Sequence, residues 1–211
     1  MEPVLHESQV FGPLNVFNYY LNQDIIYIEK HEHYQKRSYR NRYSVLTANG
    51  IITLSIPLKK GKNAGIPISE VCISYDENWV DKHLHCLRSA YGSSPYFEFY
   101  YYDIEHILKK KHSSLFQLNL ETIEFAVNKL KLSLKICFTQ SYQTNYPEWT
   151  DLRNNDWKSY QSSLKYPQVW ENKFNFVPNL SILDLLFCTG PEAVSYLTKM
   201  YGHQQHQINF E

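Results

Sequence analysis

Residues 4–29, VLHESQVFGPLNVFNYYLNQDIIYIE, hold a short apolar run, a turn, a helical pattern and a second apolar run. Val4-Leu5-His6 is brief and apolar, and Gly12-Pro13 marks a turn before the helical pattern. Leu14, Phe17 and Leu21 share one side of a helix over residues 14–21. The run from Ile25 to Glu29 is apolar, β-branched and of strand length. Strand, helix and strand in so few residues predict a βαβ unit with a parallel pair. Its first connection puts Gly12-Pro13 at a helix start, beside the carboxyl ends of the strands, where open α/β sheets bind ligands.

Working outward, Tyr43–Leu46 and Ile51–Pro57 flank Ala48-Asn49-Gly50, and Asn-Gly between β-rich runs predicts a hairpin. KKGKNAGI at 59–66 reads as a basic loop, and Val71–Tyr75 as a further strand. Helices come next. Trp79, His83, Cys86, Leu87 and Ala90 share one face, and Gly92 stops that helix. A second helix covers 97–111 and ends in three lysines that suit its negative end. Ser113-Ser114 can cap a third over 115–131, and Leu134–Phe138 is the next strand. Residues 141–175 carry three of the four tryptophans without any period, and read as an irregular, lid-like segment over the site. Leu180–Phe187 is an apolar helix, capped by Asn179 or Ser181 and stopped at Gly190. Pro191 opens a last helix, and 202–211 is a polar, frayed tail. The fold expected is one α/β domain over 1–211, with a small mixed sheet (the N-terminal βαβ unit plus the hairpin) flanked by helices.

The charge balance is 21 basic against 21 acidic residues, so no bulk attraction to nucleic acid or membrane is expected. No run of about 18 apolar residues exists to span a bilayer. Met1–Val10 lacks a basic start and a long apolar stretch, so a cytoplasmic location is expected. Cys72, Cys86, Cys137 and Cys188 form no CxxC motif and sit in or near apolar sequence, which predicts reduced thiols. Tyrosine is over-used, at 18 residues; such side chains line sugar and aromatic pockets and also fill cores.

The chemistry concentrates in HEHYQKRSYRNR, residues 31–42. Lys36, Arg37, Arg40 and Arg42 interleave with His33, Tyr34, Tyr39 and Asn41. Clustered guanidinium groups suit phosphate or carboxylate, and a solvated basic turn is the plainer reading. A substrate site would use Arg37, Arg40 and Arg42 on a phosphate-bearing small molecule such as a nucleotide sugar, with Lys36, His33, Tyr34 and Asn41 around it. His83 lies on an apolar helix face, as a core histidine or as a general base. Asp184 is the lone charge of its apolar helix, as a cap or as a partner of those arginines. Asn179 would offer a polar group at that helix start. His31 and His33 alternate on one face, but no compact third ligand comes after them, so no metal site is assigned. GxxxxGK[ST], GxGxxG and GxSxG are all missing, so no cofactor is named. Arginines with tyrosines also fit RNA, which the neutral charge and single short cluster disfavour. The apolar C-terminal helices leave an oligomer open.

YQKRSYRNR at 34–42, NGIITLSIPL at 49–58, WVDKHLHCLRSAYGSSPYF at 79–97 and VPNLSILDLLFCTGPEA at 177–193, together with Leu5–Phe17, resemble the WbqC-like protein family. The resemblance implies a role in surface polysaccharide of the O-antigen type, with transfer of glycine or a related acyl group to a sugar. It also implies that Lys36, Arg37, Ser38, Asn41, Arg42, Lys82, His83, Asn179 and Asp184 are the recurrent polar positions. On it, Lys82 joins the substrate-binding set, and His83 and Asp184 the catalytic one. The chain departs at Glu7-Ser8, where many relatives have Gln-Pro, and near Lys30-His31, where they have paired acids. The function expected is a transferase on a phosphate-linked sugar, and the alternative is a non-catalytic nucleotide-sugar or partner-binding module of a glycan-assembly complex.

Overall fold

The structure, a computed structural model, describes residues 2–61, 63, 65–153, 155 and 165–199. Strands β1 (Val4–Glu7) and β2 (Ile25–Glu29) flank helix α1 (Leu14–Asn18), giving the βαβ unit, with Val4 opposite Ile26 and Glu7 opposite Glu29 in parallel register. β5 (Lys135–Phe138) pairs with β2, and β6 (Thr150–Asp151) with β1, both parallel. The order β5-β2-β1-β6 puts β1 at the point where the chain first winds one way and later returns on the other side. β3 (Arg42–Thr47) and β4 (Gly50–Ser55) form the hairpin as a separate two-stranded sheet. The sheet is therefore mixed only in the sense of a parallel four and an antiparallel pair.

Strand alternation sorts the sheet's side chains. Val4, Ile26 and Ile28 enter the main apolar core with Phe17, Ile123, Leu183 and Phe187, whereas Leu5, Tyr27 and Cys137 register together on the other face. Each buried aliphatic or Phe side chain in that core stabilises by about 1.5–3 kcal/mol. Helices α2 (Trp79–Tyr91), α3 (Phe97–Lys109) and α4 (Leu115–Lys129) succeed one another, and Ser114 caps α4 by accepting from Phe116 N at 3.2 Å. Helix α6 (Ile182–Thr189) is buried on every side and fastened at its start. Leu14 N donates to Leu180 O, Ile182 N to Gly12 O, Ser181 N to Ser44 O and Ser181 Oγ to Phe11 O, at 2.8–3.0 Å. One helix start thus pins the β1–α1 turn and the hairpin together.

Several elements depart from the sequence reading. The first helix ends at Asn18, where its short turn gives way to residues 19–22 in turns. Val71–Tyr75 makes only isolated bridges, Leu58 with Ile73 and Cys72 with Ser114, because no partner strand runs alongside it. The segment 141–175 contains β6 and the short helix α5 (Glu171–Phe174) within what reads as irregular chain. Residues 154 and 156–164 of that segment, and the tail 202–211, lie outside the described residues. The last helix starts as a 3-10 turn, Gly190–Glu192, and continues over 193–199. All four cysteines are free. No helix among the described residues is long and apolar enough to cross a membrane.

Candidate functional site

The strand order β5-β2-β1-β6 puts the carboxyl ends of β1, β2 and β6 along one edge of the parallel sheet, the edge at which such sheets bind ligands. Both β1 and β2 end in glutamate, and both glutamates are buried. Acids and arginines alternate across this edge. Glu7 feels the charge of Arg40; Arg40 holds Glu32 in a two-pronged ion pair, with Nε at 2.8 Å; Glu32 feels Glu29 and Arg153; and Arg153 bonds Glu29 and Asp151. Burial pushes the Glu32 carboxyl up, against the hydrogen bonds and charge of Arg40. Glu29 is fully satisfied: Oε1 accepts from Thr139 Oγ1 at 2.6 Å and His31 N at 2.8 Å, and Oε2 from Arg153 Nη1 at 3.4 Å.

Glu7 differs from its neighbours. Its Oε1 accepts from Gln9 Nε2 at 2.8 Å, while its Oε2 is buried without a hydrogen-bond partner among the described residues. Burial pushes its carboxyl up to about 7, against the charge of Arg40 and the Gln9 bond. A carboxyl in that range exchanges a proton near neutral pH. Gln9 Oε1 is also unpartnered among the described residues, and a Cβ on Gly12 would come within 2.5 Å of it, so the missing side chain makes room for this amide. Next to Glu7, His6 lies between the Glu7 carbonyl, 2.6 Å from Nδ1, and the Tyr20 hydroxyl, and burial pushes its imidazole down to about 4.

The loop after β5 opens a recess of about 320 Å³, lined by Tyr27, Phe138, Thr139, Gln140, Ser141, Gln143, Tyr146 and Trp149. Its wall is held from beneath by Arg153. Nη1 donates to Gln143 O at 2.9 Å, Nη2 to Thr144 O at 3.4 Å, and the guanidinium lies 4.9 Å from the Tyr146 ring centroid. Tyr146 OH in turn donates to Ser141 O at 3.1 Å. Thr139 joins recess and edge, since its side chain lines one and bonds the carboxylate of the other.

The arginines of the 31–42 stretch do not converge. Arg40 is buried in its pair with Glu32, a carboxylate from within the same stretch, while Lys36, Arg37 and His33 are exposed. Arg42 is half-buried, with Nε buried and unpartnered among the described residues, and both Arg40 and Arg42 act on the buried Tyr34. Asn41 faces the hairpin, Nδ2 donating to Ile56 O at 3.1 Å. Lys82 lies in solvent, 3.6 Å from Glu77. His83 is in the core: Nδ1 meets Tyr43 OH at 3.1 Å, Trp79 and Tyr43 rings pack edgewise on it, and burial pushes it down to about 4. Asp184 neither completes a capping box nor meets an arginine. Its Oδ2 accepts from Tyr166 OH at 2.7 Å and Gln168 Nε2 at 2.9 Å, and burial pushes it up; neutral donors are what that fully enclosed site supplies. Asn179 takes the amide of Asn15 and stands at φ 59. Glu7, Gln9, Glu29, Glu32, Thr139 and Arg153 are the residues that sequence reasoning passed over. Their signal was present, because two apolar strands each end in a glutamate at the predicted ligand edge.

The profile of the WbqC-like protein family matches residues 9–153 and 146–196. The uncharacterized protein Rv1507c of Mycobacterium tuberculosis (strain ATCC 25618 / H37Rv) is 25% identical over 210 residues, covering 84% of this chain and 88% of that protein. No solved structure matches.

Proposed function

Because this chain belongs to the WbqC-like protein family, we propose that it is a transferase of surface-polysaccharide biosynthesis, moving an acyl or aminoacyl group onto a hydroxyl or amine of a phosphate-linked sugar. One observation carries the reading, and it belongs to this chain and not to the family, since many relatives have glutamine at this position: a buried carboxyl at the end of the central strand, Glu7, with one oxygen unbonded among the described residues and its proton equilibrium at about 7. A nucleophile that attacks an acyl carbon must lose a proton as the new bond forms. Glu7 takes that proton and returns it to the leaving group as the old bond breaks, so the carboxyl ends each cycle unchanged. Arg40, fixed by Glu32, keeps the ionised form within reach, and Gln9 orients the carboxyl. Lys36 and Arg37, exposed on the 34–42 loop, meet the phosphate of the substrate in solvent. The cytoplasmic location expected from the sequence goes with this reading.

The test is a thermal-shift screen against nucleotide sugars and acyl donors, then turnover with the ligands that raise the melting temperature. Glu7→Gln is expected to keep the ligand-induced shift and lose at least 100-fold in rate, the usual scale for a removed general base. Turnover by Glu7→Gln at the parent rate rules the assignment out.

A further inference from the structure

We propose that the recess after β5 is a sugar subsite, in which a single pyranose ring stacks on Trp149 and Tyr27. The proposal rests on the reading that the acceptor is a glycan, and it gives that acceptor a place. None of the lining side chains is charged, so the recess does not select an anion. At about 320 Å³ it stands at the small end of ligand sites, which run from ~300 to ~1,000 Å³. That suits one ring and not a dinucleotide.

The aromatic groups form a platform. The Trp149 ring centroid lies 4.4 Å from that of Tyr27 and 5.0 Å from that of Tyr146, with planes inclined at 46° and 39°. Inclined rings leave no slot with parallel walls to grip a flat base from both sides. They offer the exposed part of the Trp149 and Tyr27 rings to the C–H face of a sugar. Around that surface stand Gln140, Ser141 and Gln143, exposed, with side chains that neither donate nor accept a hydrogen bond to the described residues. Amide and hydroxyl groups both give and receive hydrogen bonds, which is what the hydroxyls on the rim of a pyranose require.

The site is built before any ligand arrives. Arg153 donates to Gln143 O and Thr144 O, and is itself held by Asp151 and Glu29. The Tyr146 hydroxyl fixes Ser141. Because Thr139 Oγ1 bonds Glu29, and Glu29 stands opposite Glu7 in the sheet register, a ring in the recess sits beside the carboxylate edge.

The experiment is saturation-transfer NMR on the full chain with neutral hexoses, N-acetylhexosamines and short oligosaccharides up to 20 mM, and uridine as the flat-ring control. At least one sugar is expected to receive saturation through its ring protons, and Trp149→Ala to weaken that binding at least tenfold. Trp149→Phe, which keeps a ring, should recover most of it. Sugar binding by the parent protein with no turnover of any bound sugar in the presence of acyl donors would sink the catalytic reading and leave this one standing. Silence from every sugar, preference for uridine over all of them, or a folded Trp149→Ala protein with parent affinity overturns the subsite.

Discussion

Glu7→Gln is the sharpest probe of the carboxylate edge because its effect on stability depends on pH in a way that ordinary packing losses do not. In the folded protein the Glu7 proton equilibrium stands at about 7, against 4.5 for the ordinary side chain. The folded state therefore holds this proton more tightly than the unfolded chain. Between pH 4.5 and 7 the unfolded chain binds fewer protons, so stability falls as pH rises. At about 1.36 kcal/mol per pH unit, the difference between those values makes a loss of about 3 kcal/mol, complete above pH 7 and absent below 4.5. A glutamine is neutral throughout and still accepts from Gln9 through its oxygen, so it escapes this loss. Two-state expressions with the same values give about 1 kcal/mol at pH 5 and about 3 kcal/mol at pH 8.5. The measurement is urea unfolding of parent and variant at both pH values. The expected result is that the gap moves by about 2 kcal/mol in favour of Glu7→Gln on going to pH 8.5. Any fixed cost of the substitution cancels in that difference. A gap that stays constant with pH would mean that Glu7 is not held protonated by burial, and it would then have no proton to exchange near neutral pH.

Two further substitutions probe the anchors of the site and of the core. Arg153→Ala leaves Glu29, which is 0% exposed, without its cation and strips donors from Gln143 O and Thr144 O, so a loss of about 3–5 kcal/mol is expected in urea unfolding; less than 1 kcal/mol would show the network to be ornamental. His83→Phe removes a buried imidazole whose folded value is about 4 against 6.5, and the parent loses stability as pH falls through that window. Relative to the parent, the variant should gain about 2 kcal/mol between pH 7 and 4.5, read by the same method, and a flat difference would place His83 in contact with water.

The fold was legible where periodicity and turn chemistry act locally. The β1–α1–β2 unit, the Asn49-Gly50 hairpin and the helices at 79–91, 97–109 and 115–129 all come from patterns a few residues long. β6 was not legible, because a two-residue strand has no period of its own. Thr150 and Asp151 are strand only because Val4 and Leu5 lie beside them. The site was hidden for a related reason. Glu7 and Glu29 stand at strand ends in the sequence, but their burial is not a local property: they become interior groups only when the 30–42 and 139–153 segments fold over them. The basic stretch misled in the opposite direction. Glu32 lies inside it, eight residues before Arg40, and takes the guanidinium that the sequence offered to a ligand. His83 and Asp184 were correctly placed on apolar faces, where the packed environment gave them Tyr43 and Tyr166 as partners.

The strand order bears on how this chain emerges from the ribosome. β1 leaves the ribosome about 140 residues before Thr150 and Asp151, which fill its second flank. At roughly 5–20 residues per second, that flank stays bare for on the order of ten seconds of synthesis. Throughout that interval a Val-Leu strand with unpaired amides is on offer to any passing chain, which makes the nascent polypeptide a natural client for chaperones that shield exposed strand edges.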